Sequence, residues 1–170
     1  MNGTFSGGTI ASMRATMASA QANPAIIKVL TNPFALTEGF TGSEQPTGTA
    51  PQYDEELNSW SAPFIMAAIN TKNIHRSNLL LGHQYGEDFR YDEMLLTGDG
   101  EQGKAAADYV AKDDSIGKSD LQPGDGPTQE ERENGNYDAI FAGQNCKGEL
   151  MISSVQGDRD PGYGSTSKML

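Results

Sequence analysis

The sequence contains very few of the residues that usually build metal and redox centres. Cys146 is its only cysteine, which excludes an intrachain disulfide and a cysteine-rich zinc site. The two histidines, His75 and His83, stand eight positions apart and lack the helical pairing and the third ligand that a zinc site needs. We therefore expect no bound metal, and we interpret both histidines as partly exposed polar residues.

Long apolar runs and positive charge are also scarce. No segment approaches the roughly 18 to 20 apolar residues of a membrane-spanning helix. The N-terminus lacks the pattern of a signal peptide, so we expect a cytoplasmic location. The 12 Lys and Arg residues are outnumbered by 23 Asp and Glu residues, which gives a formal net charge of -11. Because such a surface repels a phosphate backbone and shows no local basic patch, we do not expect nucleic acid as a partner.

The 170 residues suffice for a single well-packed domain, and their patterns mix helices with strands. Apolar spacing predicts a helix from Thr9 to Ala22, closed by Asn23 and Pro24, and a short helix that begins at Pro24. The remaining predictions, apart from one helix treated next, are a long ordered loop over 33–59, a strand over 89–97, a helix over 103–112, a polar loop over 113–136 with a helical turn at 128–133, and a β-hairpin over 136–160.

One predicted helix, "SAPFIMAAINTKNIHRSNLLLG", carries the most specific signals. Ser61 is its predicted N-cap, Pro63 lies in its first turn and Gly82 follows its end. Small polar groups gather on one face of this helix: Asn70, Asn73 and Ser77, with Arg76 beside them. These side chains either line a substrate pocket or satisfy one another and nearby loop carbonyl groups, as most buried polar groups do.

The order of elements predicts an α+β fold, with helices packed on one face of a mixed, mostly antiparallel sheet. Apolar residues occur on both sides of the hairpin strands, so we expect the hairpin to belong to a larger sheet. No G-x-G-x-x-G follows a strand, so no Rossmann domain is expected in this chain. The stretch "GDGEQGKA" has P-loop spacing up to its lysine, but Ala105 replaces the magnesium-binding hydroxyl residue, which favours an acidic turn.

Glycine turns with hydroxyl residues occur near both ends of the chain. Ser6, Gly7, Gly8 and Thr9 precede the first helix. They either form a simple helix cap or bring the backbone close to a ligand, since free amides at a helix N-terminus attract anions. The closing "DPGYGSTSKML" repeats this pattern but leaves room for only about one helical turn, which is unstable alone. We therefore expect the chain to be a fragment of a longer protein.

Three stretches of the sequence resemble the saccharopine dehydrogenase-like oxidoreductases, a family that includes the mycobacterial trans-acting enoyl reductases. They are "SGGTIASM", then "WSAPFIMAAINTKNIHRSNLLLG" with "YGEDFRYDEML", and finally "GDRDPGYGSTSKML". The three follow the order of the family, and the resemblance runs from about Gly3 to Leu170.

The resemblance implies the substrate-side, C-terminal domain of an NAD(P)-dependent enzyme that reduces a carbonyl, an imine or an activated alkene. Residues 1–170 would form a single domain, inactive alone, whose parent holds NAD(P) in an N-terminal Rossmann domain. No cofactor is expected for this chain by itself. In that architecture the expected cofactor-binding residues are Ser6, Gly7, Gly8 and Thr9. The expected substrate-binding residues are Asn70, Asn73, Arg76, Ser77 and Tyr163, the last as a group that could donate a proton.

The partners implied by the resemblance are the missing Rossmann domain and a small-molecule or lipid-like substrate. The alternative function is a non-catalytic dimerisation or lipid-associated domain, in which the sheet packs against a partner such as a second copy. Because related proteins act near lipids or lipid-like products, this alternative adds a location peripheral to a membrane or lipid to the cytoplasmic expectation.

Overall fold

The structure is a computed structural model that describes residues 5–169. It contains seven helices and five strands within these residues. The helices are α1 (Gly7–Ala22), α2 (Pro24–Thr31), α3 (Ala67–Leu80), α4 (Gly100–Lys112), α5 (Ser115–Lys118), α6 (Gln129–Asn134) and α7 (Thr166–Met169). The strands are β1 (Gln52–Asp54), β2 (Ser59–Pro63), β3 (Met94–Gly98), β4 (Asn136–Gln144) and β5 (Leu150–Asp158).

The described chain divides into two compact units, and each is described by itself. The first unit combines residues up to Thr16 with those from Ile116 onward, and the second comprises Met17–Ser115. Both units join helices to antiparallel strands, which confirms the predicted α+β class. The described residues contain no Rossmann fold, as predicted. In place of one sheet there are two small ones, one in each unit.

The sheet of the second unit has the strand order β1-β2-β3, with antiparallel pairing throughout. Helix α4 packs on β2 and β3. Ala62 on β2 and Ala107 on α4 are both fully buried, because small side chains allow a helix to approach a strand closely. The hydroxyl of Thr97 on β3 donates to the carbonyl of Gly103 at 2.9 Å and joins the sheet to the start of α4.

The predicted start of the central helix was wrong. Ser61 and Pro63 lie in β2, and α3 begins only at Ala67. Ser61 pairs with Gln52 on one side and Leu96 on the other, and its hydroxyl donates to the carbonyl of Gln52 at 3.2 Å. The backbone of Ser61 therefore pairs with the two neighbouring strands and does not begin a helix. The predicted end of the helix at Gly82, with φ +68°, is confirmed.

The predicted strand over 89–97 also begins later, at Met94. Phe89 and Tyr91 stack on each other, with ring centroids 6.0 Å apart. The backbone amide of Tyr91 donates to the side-chain Oε1 of Gln45 at 3.0 Å. The backbone amide of Tyr91 is therefore bonded to a loop side chain and not to a neighbouring strand, and strand pairing starts only at Met94.

The hairpin of β4 and β5 is present as predicted, with nine residue pairs in unbroken register. The expectation that it belongs to a larger sheet was wrong for the described residues, because β4 and β5 form a sheet of two strands only. None of the residues in either strand is buried. The apolar pattern correctly identified two strands but did not identify what covers them.

Among residues 5–169, no helix is both long enough and apolar enough to cross a membrane. The same residues contain no group of three or more His, Cys, Asp or Glu side chains that could hold a metal ion.

Candidate functional site

The N-terminus of α1 is capped by Ser6, one of the two hydroxyl residues in the predicted glycine turn. The hydroxyl of Ser6 accepts a hydrogen bond from the amide of Thr9 at 3.2 Å, and the carbonyl of Ser6 accepts from the amide of Ile10 at 3.1 Å. The amide of Gly7 donates to the carbonyl of Asp125 at 3.0 Å. Gly8 therefore carries the one amide of this first turn without a partner in the described part of the chain.

Gly7 has a structural reason to be glycine. A Cβ added there would lie 1.7 Å from the carbonyl oxygen of Gln122, so any side chain would collide with the backbone of the loop that precedes α6. A Cβ added at Gly8 would have the Ser6 hydroxyl at 3.7 Å as its nearest neighbour. The close backbone approach expected of this motif thus occurs at Gly7 within the protein, whereas Gly8 is exposed.

The loop opposite α1 is held by its own polar groups. The carboxylate of Asp125 accepts from the amide of Gln122 at 2.7 Å, and the amide of Asp125 donates to the carbonyl of Gln122 at 2.9 Å. Thr128 then begins α6 with a capping box, in which its hydroxyl and the carboxylate of Glu131 each accept a backbone amide of the other residue. The predicted helical turn at this place is confirmed.

Arg132 joins α6 to the residues around Tyr163. Its Nη1 donates to the carbonyl of Pro127 at 3.1 Å, and its own carbonyl accepts from the amide of Asp160 at 2.9 Å. Asp160 is 1% exposed, and its Oδ2 accepts from the amide of Tyr163 at 2.6 Å. A Cβ at Gly135 would lie 2.3 Å from the nitrogen of Asp160, so the approach of these segments requires glycine there.

These segments enclose a cleft of about 330 Å³ within the first unit. Its lining residues are Ser6, Gly8, 124–127, Arg132 and Tyr163. The structure therefore brings two of the predicted cofactor-binding residues together with Tyr163, which the sequence suggested as a substrate residue. Gly7 and Thr9 do not line the cleft but hydrogen-bond to residues that do: the amide of Gly7 donates to the carbonyl of Asp125, and the amide of Thr9 donates to the hydroxyl of Ser6.

Three of the lining residues carry hydrogen-bond donors. The donors are the amide of Gly8, the guanidinium of Arg132 and the hydroxyl of Tyr163, and no described residue accepts a bond from the first or the last. Donors of this kind suit a carbonyl, carboxylate or phosphate oxygen, and a helix N-terminus adds a partial positive charge. Asp125 contributes the only carboxylate in the lining, and its Oδ2 accepts the Gln122 amide. The arrangement can therefore bind the oxygen-bearing end of a ligand.

The four predicted substrate residues of α3 lie in the second unit, and most of their polar atoms already have protein partners. The amide of Asn70 donates to Oε2 of Glu93 at 2.8 Å, and Nη1 of Arg76 donates to the carbonyl of Leu36 at 3.0 Å. The hydroxyl of Ser77 donates to the carbonyl of Asn73 at 2.9 Å, and Asn73 itself is exposed. The sequence analysis offered such contacts, with one another and with loop carbonyl groups, as the alternative to a substrate pocket. Substrate binding by this face of α3 stays a prediction.

A buried aromatic cluster in the second unit was missed by the sequence analysis. His75 is only 4% exposed, which corrects its interpretation as a partly exposed residue. Its ring lies 4.6 Å from that of Phe34 and 5.9 Å from that of Phe89, and its Nε2 is buried without a hydrogen-bond partner among the described residues. Burial lowers the pKa of His75 because the charged imidazolium would lose its hydration.

Two further polar residues in this region have protein partners that the spacing of residues in the sequence did not indicate. Asn78 is buried, and its amide group donates to the carbonyl of Gly86 at 2.8 Å while its oxygen accepts from the amide of Tyr85 at 2.9 Å. Tyr91 donates to Oε1 of Glu93 at 2.8 Å, and burial with this carboxylate raises the pKa of Tyr91. These partners lie in the segment between α3 and β3, where the sequence has no periodic pattern of apolar residues. The helical turn at 128–133, by contrast, was predicted from the sequence, and it contains Arg132.

Comparison with known proteins points to one group of enzymes. A Mycobacterium tuberculosis protein named "Putative trans-acting enoyl reductase" is 31% identical over 99% of this chain and 46% of its own length. A trans-acting enoyl reductase of Mycobacterium ulcerans is 26% identical over 97% of this chain and 45% of its own length. One of Mycobacterium bovis is 27% identical over 78% of this chain and 38% of its own length.

The chain is therefore similar along almost its whole length to proteins named trans-acting enoyl reductases, and it spans about half the length of these relatives or less. No protein-family profile matches the sequence. No solved structure matches it either.

Proposed function

We propose that this chain is the substrate-side part of an NAD(P)-dependent enoyl reductase of the saccharopine dehydrogenase-like type, and that its cleft holds the oxygen-bearing end of the enoyl substrate. The observation that carries the proposal is the similarity to trans-acting enoyl reductases across 99% of the chain. The absence of a Rossmann fold from residues 5–169 supports the assignment of the cofactor to another part of the enzyme.

The geometry of the cleft supports this division of labour. Reduction of a double bond next to a carbonyl places negative charge on that carbonyl oxygen, and preorganised donors stabilise such charge. The Gly8 amide and the Tyr163 hydroxyl are donors in one cleft, and Tyr163 can return a proton after the charge has developed. Arg132 adds a fixed positive charge in the same lining.

A nicotinamide cofactor fits this cleft only in part. Its volume of about 330 Å³ lies at the lower end of the roughly 300 to 1,000 Å³ of ligand sites. One phosphate or amide oxygen could accept from Gly8, with Ser6 and Arg132 beside it, whereas the rest of a dinucleotide would need a further wall. When bound, NAD(P)H supplies the hydride, and this chain's residues orient the acceptor.

The proposal is tested by binding a short enoyl thioester, crotonyl-pantetheine, to the chain in a calorimetric titration. We expect Tyr163→Phe to weaken binding several-fold, because one hydrogen bond to the substrate contributes about 1 kcal/mol. Tyr109→Phe is the matched control, since Tyr109 is an exposed tyrosine on α4 in the other unit, and it should bind as the unaltered chain does.

Two results would contradict the proposal. If the chain bound no enoyl thioester, the substrate would be held elsewhere; if Tyr163→Phe and Tyr109→Phe behaved alike, the cleft would not be the site. A separate fluorescence titration with NADPH should show no binding by this chain, and tight binding would overturn the assignment of the cofactor to another domain.

A second candidate function, assembly as a non-catalytic domain, is favoured by one observation. The hairpin of the first unit carries apolar side chains that no described residue covers.

A further inference from the structure

We propose that two copies of this chain associate through the outer edge of β4, so that their hairpins form one four-stranded antiparallel sheet. This inference does not depend on the proposed reductase function. It concerns the surface formed by β4 and β5, here called the hairpin surface, and its partner is a second copy of the same chain.

Both faces of the hairpin surface are apolar and open. The register places Ala139, Phe141, Met151 and Val155 on one face, and Ile140, Ala142, Leu150 and Ile152 on the other. The exposed fractions of the large side chains range from 41% to 77%: Ile140 44%, Phe141 54%, Leu150 41%, Met151 77%, Ile152 51% and Val155 50%. An isolated two-stranded hairpin is at best marginally stable in water, so a surface of this kind needs further strands or a covering layer.

The edges of the hairpin lack most of the features that usually prevent strand pairing. Natural edge strands are protected by proline, by charged side chains and lysine above all, by bulges or by short length. Each strand of the hairpin carries one charged residue, an aspartate. Neither β4 nor β5 contains proline or lysine, and all nine residue pairs follow in order without a bulge. By contrast, the pairing of β2 with β3 in the second unit shifts register between Trp60 and Ser61. A long, regular edge with so little protection favours pairing with another strand.

The β4 edge is the better candidate of the two. The end of β5 is engaged by α7, where Nζ of Lys168 pairs with the carboxylate of Asp158 at 2.7 Å. At β4 the corresponding contact is between two neutral hydroxyl groups, those of Tyr137 and Ser165, which lie 3.3 Å apart. Asp138 is the one charged residue of β4, and its Oδ2 accepts from Nε2 of Gln156 at 3.0 Å within the hairpin.

The sequence of β4 is self-complementary when it pairs antiparallel about Ile140. In that register Ile140 lies opposite Ile140 of the second copy, Ala139 opposite Phe141, and Asp138 opposite Ala142. Apolar cross-strand neighbours stabilise a sheet, and like charges placed opposite each other destabilise it. This pairing gives the first and avoids the second, which is the basis for choosing a second copy as the partner. A two-fold axis at Ile140 also gives a closed dimer.

The proposal is tested by cysteine cross-linking in a Cys146→Ser background, which removes the chain's own thiol. Ile140→Cys should form a disulfide-linked dimer in most of the protein under mild oxidation, because the two residues face each other across the axis at a spacing that a disulfide can bridge. Ile152→Cys is the matched control. It is an exposed isoleucine on the same face, but in the paired sheet its two copies are three strand spacings, about 14 Å, apart across the sheet and are also offset by four residues along the strands.

Sedimentation of the unaltered chain is an independent measurement, and it does not depend on whether any variant folds. We expect twice the chain mass, with a dimer fraction that rises with salt, because each copy carries a net charge of -11 and salt screens the repulsion. A monomer at all concentrations, or equal cross-linking at positions 140 and 152, would overturn the proposal. Cross-linking with monomeric sedimentation at high salt would also count against it, as a collision product.

Discussion

The cleft in the first unit and the polar face of α3 in the second unit contain similar residue types but use them differently. In the cleft, Gly8 and Tyr163 keep donors that no described residue uses. On α3, Asn70 and Arg76 donate to Glu93 and to a loop carbonyl. A polar group that the protein already satisfies stabilises the fold, whereas one left open to a cleft is available to a ligand.

The two units also differ in how chain segments pack within each unit. In the first unit, backbone meets backbone at Gly7 and Gly135, where no side chain fits. In the second unit, ring meets ring around His75, Phe34 and Phe89. The first kind of packing is sensitive to any added atom, and the second is sensitive to charge in an apolar environment.

The largest effect is expected from Gly7→Ala. Its Cβ would lie 1.7 Å from the Gln122 carbonyl oxygen, so α1 or the loop has to move. We expect the free energy of unfolding to fall by about 3 kcal/mol, as in severe overpacking. Urea denaturation measures this change.

Gly8→Ala is the control for this prediction, because its Cβ would meet nothing closer than 3.7 Å. It should leave the stability unchanged or raise it by about 0.5 kcal/mol, since alanine favours a helix over glycine. Equal destabilisation by both variants would show that the two glycines do not differ as described.

A smaller, pH-dependent effect is expected from His75. Burial lowers its pKa in the folded state below the ordinary value of 6.5. The folded protein therefore holds neutral His75, and the associated stability is present above pH 6.5 and is lost as the pH falls through the folded pKa. Thermal unfolding measured at stepwise lower pH should reveal this loss.

His75→Phe preserves a ring between Phe34 and Phe89 but cannot take up a proton. The difference in melting temperature between this variant and the unaltered chain should grow in favour of the variant as the pH falls below 6.5. Because all carboxylates are common to both proteins, their titration cancels in the difference. A difference that does not change with pH would contradict the buried, neutral state of His75.

The smallest structural effect is expected from Asn73→Ala on α3. Asn73 is exposed, and its side chain has no partner within residues 5–169, so stability should change by no more than about 0.5 kcal/mol. Any weakening of crotonyl-pantetheine binding would then report contact with substrate. Unchanged binding together with unchanged stability would remove this face from the predicted site.

Local signals predicted much of the fold and part of the site. The helix cap within residues 6–9, the helical turn at 128–133 and the glycine that ends α3 all depend on contacts within one turn of helix, so the sequence predicted them. Ser61 was assigned wrongly because its preference for a helix cap is weaker than pairing with two strands that are distant in sequence. His75 was misplaced because its neighbours Phe34 and Phe89 lie far along the chain.

The sequence by itself determined the class of fold, the acidic surface and the order of most helices and strands, because periodicity, capping and charge are properties of neighbouring residues. Only the tertiary structure decided that Arg132 joins Gly8 and Tyr163 in one cleft, and that the apolar hairpin is left uncovered. The physical reason is that burial and hydrogen-bond partnership depend on segments that meet in space, and a one-dimensional pattern shows that a side chain needs a partner without showing which one it finds.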